Sequence, residues 1–339
     1  MAVVAPQMET QPKIAVVILN YNGQHWLEQF LGDVVLKSPE AEMYVADNAS
    51  TDKSVAYVQE NHPLVKIIQN PKNDGYAGGY NLALANICAD YYVLLNSDIE
   101  VTGNWLPPVI QLMEGDKNIA ACQPKIKSFH QKEYFEYAGA CGGFIDHLGY
   151  PFCRGRIFDT LEKDEKQYEE AREVFWATGA CLFVRATHFH EVGGLDADFF
   201  AHMEEIDLCW RLQNSGNSIW VQPESTVYHV GGGTLQSGST FKTYLNFRNN
   251  LFMLYKNLEH PTPIIFKRLL LDGLAGLKFL SEGKLIHTWA IVRAHFAFYG
   301  AINHLKKKRA QTFNAALYPK SILVSYYLQG KKKFSDLVE

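Results

Sequence analysis

Tyr91-Tyr-Val-Leu-Leu-Asn-Ser-Asp98 is a short apolar run that stops abruptly at a polar triplet. A continuous run of this length bounded by turn-forming residues reads as a strand buried on both faces of a parallel sheet. The same cadence stands three times upstream. Ile14-Ala-Val-Val-Ile-Leu-Asn20 leads into Tyr21-Asn22, and Met43-Tyr-Val-Ala46 into Asp47-Asn48-Ala49-Ser50-Thr51-Asp52. Val65-Lys-Ile-Ile68 leads into Asn73-Asp-Gly-Tyr-Ala-Gly-Gly-Tyr-Asn81. Between the strands the apolar spacing turns helical. Trp26, Leu27, Phe30, Leu31, Val34 and Val35 share one face from His25 to Leu36. Ser50 or Asp52 caps a second helix to about Asn61, a third is expected from about Gly79 to Cys88, and Pro107-Pro108 marks a fourth within Trp105 to Met113. This alternation predicts an α/β fold with a mostly parallel central sheet, helices on both faces, and a ligand at the carboxyl ends of the strands.

Past Ile119 the regularity weakens. Residues 128–172 read as loops and short strands ending in a charged stretch, Glu162 to Glu173. Trp176 to Val184 reads as a strand, Asp207 to Asn214 as a helix, and Ser218-Ile-Trp-Val221 and Thr226-Val-Tyr228 as two short closing strands. From Phe241 the chain turns helical, with Pro261 and Pro263 separating a first helix from the tail. The expected organisation is a disordered leader over 1–12, a catalytic-sized body over 13–257 and a helical extension over 258–339.

The composition is that of a globular chain of 339 residues, 47% hydrophobic and 20% charged, which excludes disordered and fibrous classes. The net charge of −4 hides a split: 16 Lys+Arg against 31 Asp+Glu up to residue 240, then 16 against 5. A basic tail on an acidic body points to an anionic partner. The first 13 residues lack the basic and apolar regions of a signal peptide, so a cytoplasmic location is expected. The six cysteines form no Cys-x-x-Cys pair, which argues against a disulfide framework or a zinc site and for reduced core residues. No apolar window is long enough to span a bilayer; Trp289 to Leu305 is interrupted by Arg293 and His295.

The chemistry-bearing residues gather at the strand ends. Gly75 to Gly79 is either a ligand loop or a tight turn, and it is neither a P-loop nor a dinucleotide fingerprint. Asp98 is either a ligand for Mg2+ or Mn2+, which keep few protein ligands and take the rest from phosphate and water, or a helix cap. His229, before Gly231-Gly232-Gly233, is either structural or a second metal ligand. Glu204, Glu205 and Asp207 suit a helix N-terminus, and beside the apolar wall Phe199-Phe200-Ala201-His202-Met203 they also offer a general base. Arg154-Gly155-Arg156 suits a donor or acceptor phosphate, or else balances the acidic stretch at the surface.

Taken together the pattern resembles the family-two inverting glycosyltransferases of the GT-A fold, near the rhamnosyltransferase-type enzymes of bacterial surface polysaccharides, over about residues 13–257. The carriers are Val17-Ile-Leu-Asn-Tyr-Asn22, Val45-Ala-Asp-Asn-Ala-Ser-Thr-Asp-Lys-Ser54, Asn73 to Asn81, Leu94-Leu-Asn-Ser-Asp98, Thr178-Gly-Ala-Cys-Leu-Phe-Val-Arg185, Val192-Gly-Gly-Leu-Asp196, Glu204-Glu-Ile-Asp-Leu-Cys-Trp-Arg-Leu212 and Tyr228-His-Val-Gly-Gly232. The resemblance implies a donor half over about 13–127 and an acceptor half over about 128–257. It implies a dTDP-, UDP- or GDP-linked sugar bound by Asn20, Tyr21, Asn22, Asp47, Asn48, Gly75, Tyr76, Ala77, Gly78, Asn81, Asn96, Ser97 and Asp98. It puts Trp176, Gly179 and Ala180 on the acceptor side, Asp98 and His229 at a divalent metal, and Glu205 in the place of the catalytic base with Glu204 and Asp207 as neighbours. Two departures stand out: Asn96 replaces an acid, leaving Asp98 to hold the metal from this motif, and Glu205 is one methylene longer than the family's aspartate.

The expected reaction is a single displacement with inversion onto a saccharide or lipid-linked acceptor. Processive synthases are disfavoured because neither a Gln-x-x-Arg-Trp motif nor membrane spans are present, and nucleotidyltransfer because Asn20-Tyr-Asn-Gly23 is not a basic glycine loop. A non-catalytic nucleotide-sugar-binding protein on the same fold is the alternative. Lys306-Lys-Lys-Arg309 and Lys331-Lys-Lys333, interleaved with Trp289, Phe296, Phe298, Tyr326 and Tyr327, suggest a peripheral contact with anionic lipid and not with nucleic acid, a solvated oligomer contact being the other reading.

Overall fold

In a computed structural model, which describes residues 11–231 and 238–337, the first four runs form β1 (Ile14–Asn20), β2 (Ala41–Asp47), β3 (Lys66–Gln69) and β4 (Tyr91–Asn96). Apolar residues fill β1 and β4 almost throughout, so those two central strands are covered on both faces, while Lys66 and Gln69 leave the edge strand β3 partly exposed. Most of the expected leader lies outside the described residues. The four strands pair in parallel, in the order β3-β2-β1-β4. The register places Asn20 opposite Asp47, and Leu19 opposite Asn96, so the polar ends fall on one edge.

The sheet continues through strands from the second half. These are β5 (Ile99–Val101), β6 (Ile119–Ser128), a separate four-stranded sheet of β7 (Gly143–Ile145), β8 (Pro151–Cys153), β9 (Arg156–Ile157) and β10 (Thr160–Leu161), then β11 (Arg172–Val174), β12 (Cys181–Arg185) and β13 (Ser218–His229). The large sheet has nine strands; beyond β4 it runs β12-β6-β13-β11, with β5 on β13. β12 is antiparallel to β4 and β6, while β13 is parallel to β6. Being antiparallel, β12 brings its first residue, Cys181, beside Leu95 at the same edge as the polar ends. Alternate residues separate the two cores: Val17, Ala46 and Leu94 pack on one face, Val16, Val45 and Val93 on the other.

Several boundaries differ from expectation, among them the helix expected over Asp207 to Asn214, which starts at Glu204. The third helix runs from Gly75 to Leu84, not from Gly79 to Cys88. Its start is fixed by Gly75, at φ +71°, whose N–H donates to Asn73 Oδ1 at 3.0 Å. Trp176 to Ala180 is not strand; the Trp176 backbone pairs with Gly143, and the Thr178 N–H donates to the Gln123 side chain. The two closing strands are one, β13, with a register break between Gln222 and Thr226 around Pro223, which has no N–H for a ladder.

Helices Thr240–Asn257, Pro261–Ser281 and Leu285–Lys307 pack on one another and on the body, and the chain then returns along the small sheet. Among the described residues no helix is long and apolar enough to cross a membrane. Five cysteines are buried and Cys88 is exposed.

Candidate active site

At the donor edge, Asn20 and Asp47 end adjacent strands, and the Asn20 amide donates to Asp47 Oδ1 at 3.0 Å and to Ser50 Oγ at 3.1 Å. The other Asp47 oxygen accepts from the Ser50 N–H. Asn22, at φ 50°, accepts from the Thr51 and Asp52 N–H groups, closing the two loops on each other. Tyr21 projects from this edge, 45% exposed.

Several residues assigned to the donor serve instead to build the wall behind it. The Asn48 amide donates to Asn73 Oδ1 and the Gly75 carbonyl and accepts from Asn70, so it is fully used. Asn81 exchanges two hydrogen bonds with the Leu195 backbone. Ala77 is buried, and Gly78 leaves room for the Asp74 side chain, where a Cβ would lie 2.6 Å away. Gly75 faces Phe200 so closely that a Cβ would lie 2.3 Å from its carbonyl oxygen. Internal hydrogen bonds thus engage the side chains of Asn48 and Asn81, and Gly75, Ala77 and Gly78 are buried in the same wall. Tyr76 joins the same wall: its hydroxyl donates to the Gly179 carbonyl at 2.6 Å and its N–H to Phe200 O at 2.7 Å.

β4 ends at Asn96, Ser97 follows in the turn, and β5 folds back on β13, pairing Ile99 with His229. This hairpin-like return sets His229 Nε2 3.2 Å from Asp98 Oδ1, with the Asn96 amide nitrogen 3.5 Å away. On the far side of the ring, His229 Nδ1 lies 3.3 Å from Glu136. Burial opposes a charge on His229, but the two flanking carboxylates outweigh it and hold the imidazole up at about 10; the same contact holds Asp98 below its ordinary range despite burial. Once a cation displaces the imidazolium proton, one carboxylate, one imidazole and a nearby amide suit a hard or borderline divalent ion that draws its other ligands from phosphate and water. Among the described residues no set of three or more His, Cys, Asp or Glu surrounds a common metal position. Sequence reasoning missed Glu136, which lies in an irregular loop after β6. It lies behind the ring at ion-pair distance from Nδ1.

Helix Glu204–Asn214 follows the residues Phe200, His202 and Met203, all at positive φ. Glu204 is buried and Glu205 half-buried, and one oxygen of each has no hydrogen-bond partner. Burial pushes both carboxyls up, Glu204 further through repulsion from Glu205, and Glu205 to about 7. Gly179 makes room here: a Cβ would sit 2.9 Å from the Tyr76 hydroxyl and 3.6 Å from Glu205 Cβ. Ala180 adjoins through its carbonyl, which accepts from the Asn96 N–H at 2.9 Å and so links the carboxylate pair to the Asp98 turn. Trp176 is packed flat over Gly143 with its indole N–H on Phe144 O, a core residue and not an acceptor contact.

Asp207 also departs from the expected acid–base group. It is fully buried and takes hydrogen bonds from Lys256 Nζ, Arg211 Nε and Asn257 Nδ2 at 2.8 to 2.9 Å. Lys256 bridges on to Asp196 at 2.5 Å. Burial would raise Asp207, yet Lys256 and Arg211 keep it below the ordinary carboxylate range, so it stays charged and structural. The same helix, Thr240–Asn257, supplies Asn249, whose amide donates to the carbonyls of Phe199, Ala201 and His202, and Arg248, which donates to Asp198 O and Phe199 O. These two side chains clamp the strained loop that presents Glu205. Arg154 and Arg156 are neither surface charges nor phosphate ligands at this edge: both are buried, stacked over Tyr168 and Tyr137.

Residues 15–193 match the family model described as glycosyl transferase family 2. Over 238 residues, 65% of this chain and 77% of the relative, the chain is 26% identical to an N-acetylglucosaminyl-diphospho-decaprenol L-rhamnosyltransferase of Mycobacterium tuberculosis. It is 21% identical to the low-salt glycan biosynthesis hexosyltransferase Agl10 of Haloferax volcanii over 87% of this chain and 92% of that one. Among solved structures it resembles GalNAc-T7 with UDP, GalNAc and Mn2+ (TM-score 0.59, 16% identity, 87% of this chain but 58% of that one). It also resembles the mannosyltransferase PcManGT from Pyrobaculum calidifontis with GDP-Man and Mn2+ (TM-score 0.52, 16% identity, 88% and 78%). At this identity the structural likenesses establish the fold.

Proposed function

The chain belongs to glycosyl transferase family 2 and is a glycosyltransferase on a GT-A fold, and we propose that it transfers one sugar, with inversion, from a nucleotide-diphosphate-sugar to a hydroxyl of a lipid-linked saccharide. Family membership displaces the non-catalytic alternative. The observation that carries the reading is Glu205: a half-buried carboxyl with no cationic partner among the described residues, beside Gly179 and linked through Ala180 to the Asp98–His229 pair.

Asn20, Asp47 and Tyr21 line the edge for the donor's base and ribose. Asp98 and His229 would hold a Mg2+ or Mn2+ ion, which when bound offsets the charge of a diphosphate leaving group. Glu205 takes the proton of the acceptor hydroxyl. That oxygen bonds to the anomeric carbon from the face opposite the diphosphate, and the anomeric C–O bond breaks with its electron pair leaving on the nucleotide. No protein nucleophile intervenes. The clamped loop and the Tyr76–Gly179 contact fix the base so that the reacting groups meet in a near-attack arrangement.

The lipid-linked acceptor follows the name of the mycobacterial relative, which acts on a diphospho-decaprenol-linked sugar, and the role in glycan biosynthesis that of the haloarchaeal one. A location at the inner face of a membrane belongs to the same reading. Glu205→Gln keeps the volume and removes the base, so donor binding, read as a thermal shift with UDP-, GDP- or dTDP-sugars plus Mn2+ or Mg2+, stays while transfer falls by about 100-fold or more. Near-normal transfer by that variant overturns the assignment.

A further inference from the structure

Helix Pro261–Ser281 turns two chemically different faces outward and inward. Inward it buries Ile265, Arg268, Asp272 and Gly276. Outward it presents Phe266, Leu270, Leu274 and Leu277, each about 60% exposed and spaced as one helical stripe. The next helix, Leu285–Lys307, adds Leu285, Ile286, Trp289 and Phe296, also more than half exposed. Isolated exposed apolar residues need no explanation, but paired stripes of this size on two successive helices mark an interaction surface.

The surrounding charge selects the partner. Lys267, Lys278 and Arg293 are exposed on the same two helices, and Lys284 in the turn that joins them. Within residues 261–307 the only carboxylates are Asp272 and Glu282. Asp272 is buried against Arg268 and His295, and Glu282 is paired with Lys284 at the hairpin tip. An apolar stripe framed by cations is the chemistry of a helix lying in an anionic bilayer interface, with leucines and tryptophan below and lysines at headgroup level. A second copy placed symmetrically on this face would set lysines against lysines.

The face also reaches the site. Ile286, Trp289 and Arg293 share a small pocket with Phe241 and Tyr244. The Phe241 ring lies 6.0 Å from Phe200, whose carbonyl accepts from the Tyr76 N–H in the wall beside Glu205.

We propose that the outer face of the hairpin 261–299 is a docking surface for an anionic lipid bilayer, seating the base-bearing loop next to the membrane surface. It differs from a tail bound through its lysine clusters. Lys308 is engaged with Asp196 and Asp198, Arg309 with the carbonyls of Tyr255, Leu258 and Glu259, and Phe298 and Tyr326 are buried. The use of the face, bringing a lipid-linked acceptor to Glu205, rests on the proposed transfer reaction. Its affinity for a bilayer is measurable with neither donor nor acceptor, so the two fail separately.

The test is co-sedimentation of the full chain with vesicles of phosphatidylglycerol and phosphatidylcholine, against phosphatidylcholine alone. Binding to the anionic vesicles at low salt, weakening as salt screens the lysines, is expected. The double variant Leu270→Asp/Leu274→Asp, at two exposed positions, keeps the wild-type melting temperature and binds about tenfold or more weakly. Brominated lipid quenches part of the tryptophan emission, and that part disappears in Trp289→Phe. The proposal is overturned by absence of binding to anionic vesicles, by equal binding of the double variant, or by a wild-type dimer that the same substitutions convert to monomer.

Discussion

Glu204 and Glu205 are neighbours in sequence, and their surroundings separate them. Glu205 is half-buried at the cleft and raised by burial to about 7, so at neutral pH it is divided between acid and base forms. Only the carboxylate accepts a proton. Transfer should therefore rise with pH through about 7, by more than about tenfold between pH 5.5 and 8.5 in kcat/KM, and the residual activity of Glu205→Gln should lack that step. A flat wild-type profile would exclude Glu205 as base. Glu204 is fully enclosed with one oxygen unpartnered, and burial followed by the Glu205 charge pushes it well up. Because its folded-state value exceeds its unfolded one, its share of stability is complete below the ordinary carboxylate range and is lost as pH rises through the raised folded value. Glu204→Gln should consequently melt higher than wild type at pH 8 and close to it at pH 5; an equal difference at both pH values would contradict this account.

At the level of elements, what the sequence makes legible is what each segment settles by itself. β1 and β4 are readable because a strand covered on both faces carries an unbroken apolar run, and β2 and the more exposed edge strand β3 follow from the alternation with helices; their polar ends mark one edge. Asp98, His229 and Glu205 stand at strand or helix ends and follow from that pattern. Asp207 and Glu205 cannot be told apart in the sequence, since the distinction lies in Lys256, on a helix about fifty positions downstream. Asn48 and Asn81 likewise look like ligands until Gly75 and Leu195 are seen to take their hydrogen bonds. The start of helix Gly75–Leu84 was hidden because Gly-Tyr-Ala-Gly-Gly has low helix propensity and is held by the Phe200 carbonyl, a tertiary contact. Lys256 ties helix Thr240–Asn257 to Asp196 and Asp207 in the interior. Replacing it by Met removes the cation shared by two buried carboxylates and leaves each with one remaining cationic partner, Arg211 or Lys308, and a loss of about 3–5 kcal/mol in urea unfolding is expected. A loss under about 1 kcal/mol would show that Arg211 and Lys308 suffice.

For the whole molecule, the split between an acidic body and a basic tail is partly an internal pairing. Lys308 reaches back to Asp196 and Asp198, and His304 to Asp198. The last segment is bound as firmly by other means. Tyr318 pairs its backbone with Ile145 and His147, the Ile322 N–H donates to the buried Asp146, and the Phe334 N–H to Glu162. Phe334 packs its ring among Phe144, Phe152 and Tyr168, closing one face of the small sheet β7–β10. That sheet has strands of only two or three residues and cannot bury its own aromatics, so the C-terminal segment completes its core. The small sheet adjoins Glu136, the carboxylate behind His229, through the Phe135 N–H bond to Glu162. Phe334→Ala should accordingly cost about 3–5 kcal/mol locally and expose residues 143–168 to protease before the central sheet unfolds. It should also weaken metal-dependent donor binding more than metal-free nucleotide binding, because only the former depends on the ring paired with Glu136. Limited proteolysis with mass spectrometry locates the first cut, and thermal shifts with and without Mn2+ separate the two affinities. First cleavage within residues 14–47, or an equal loss of both affinities, would break the link between the tail, the small sheet and His229.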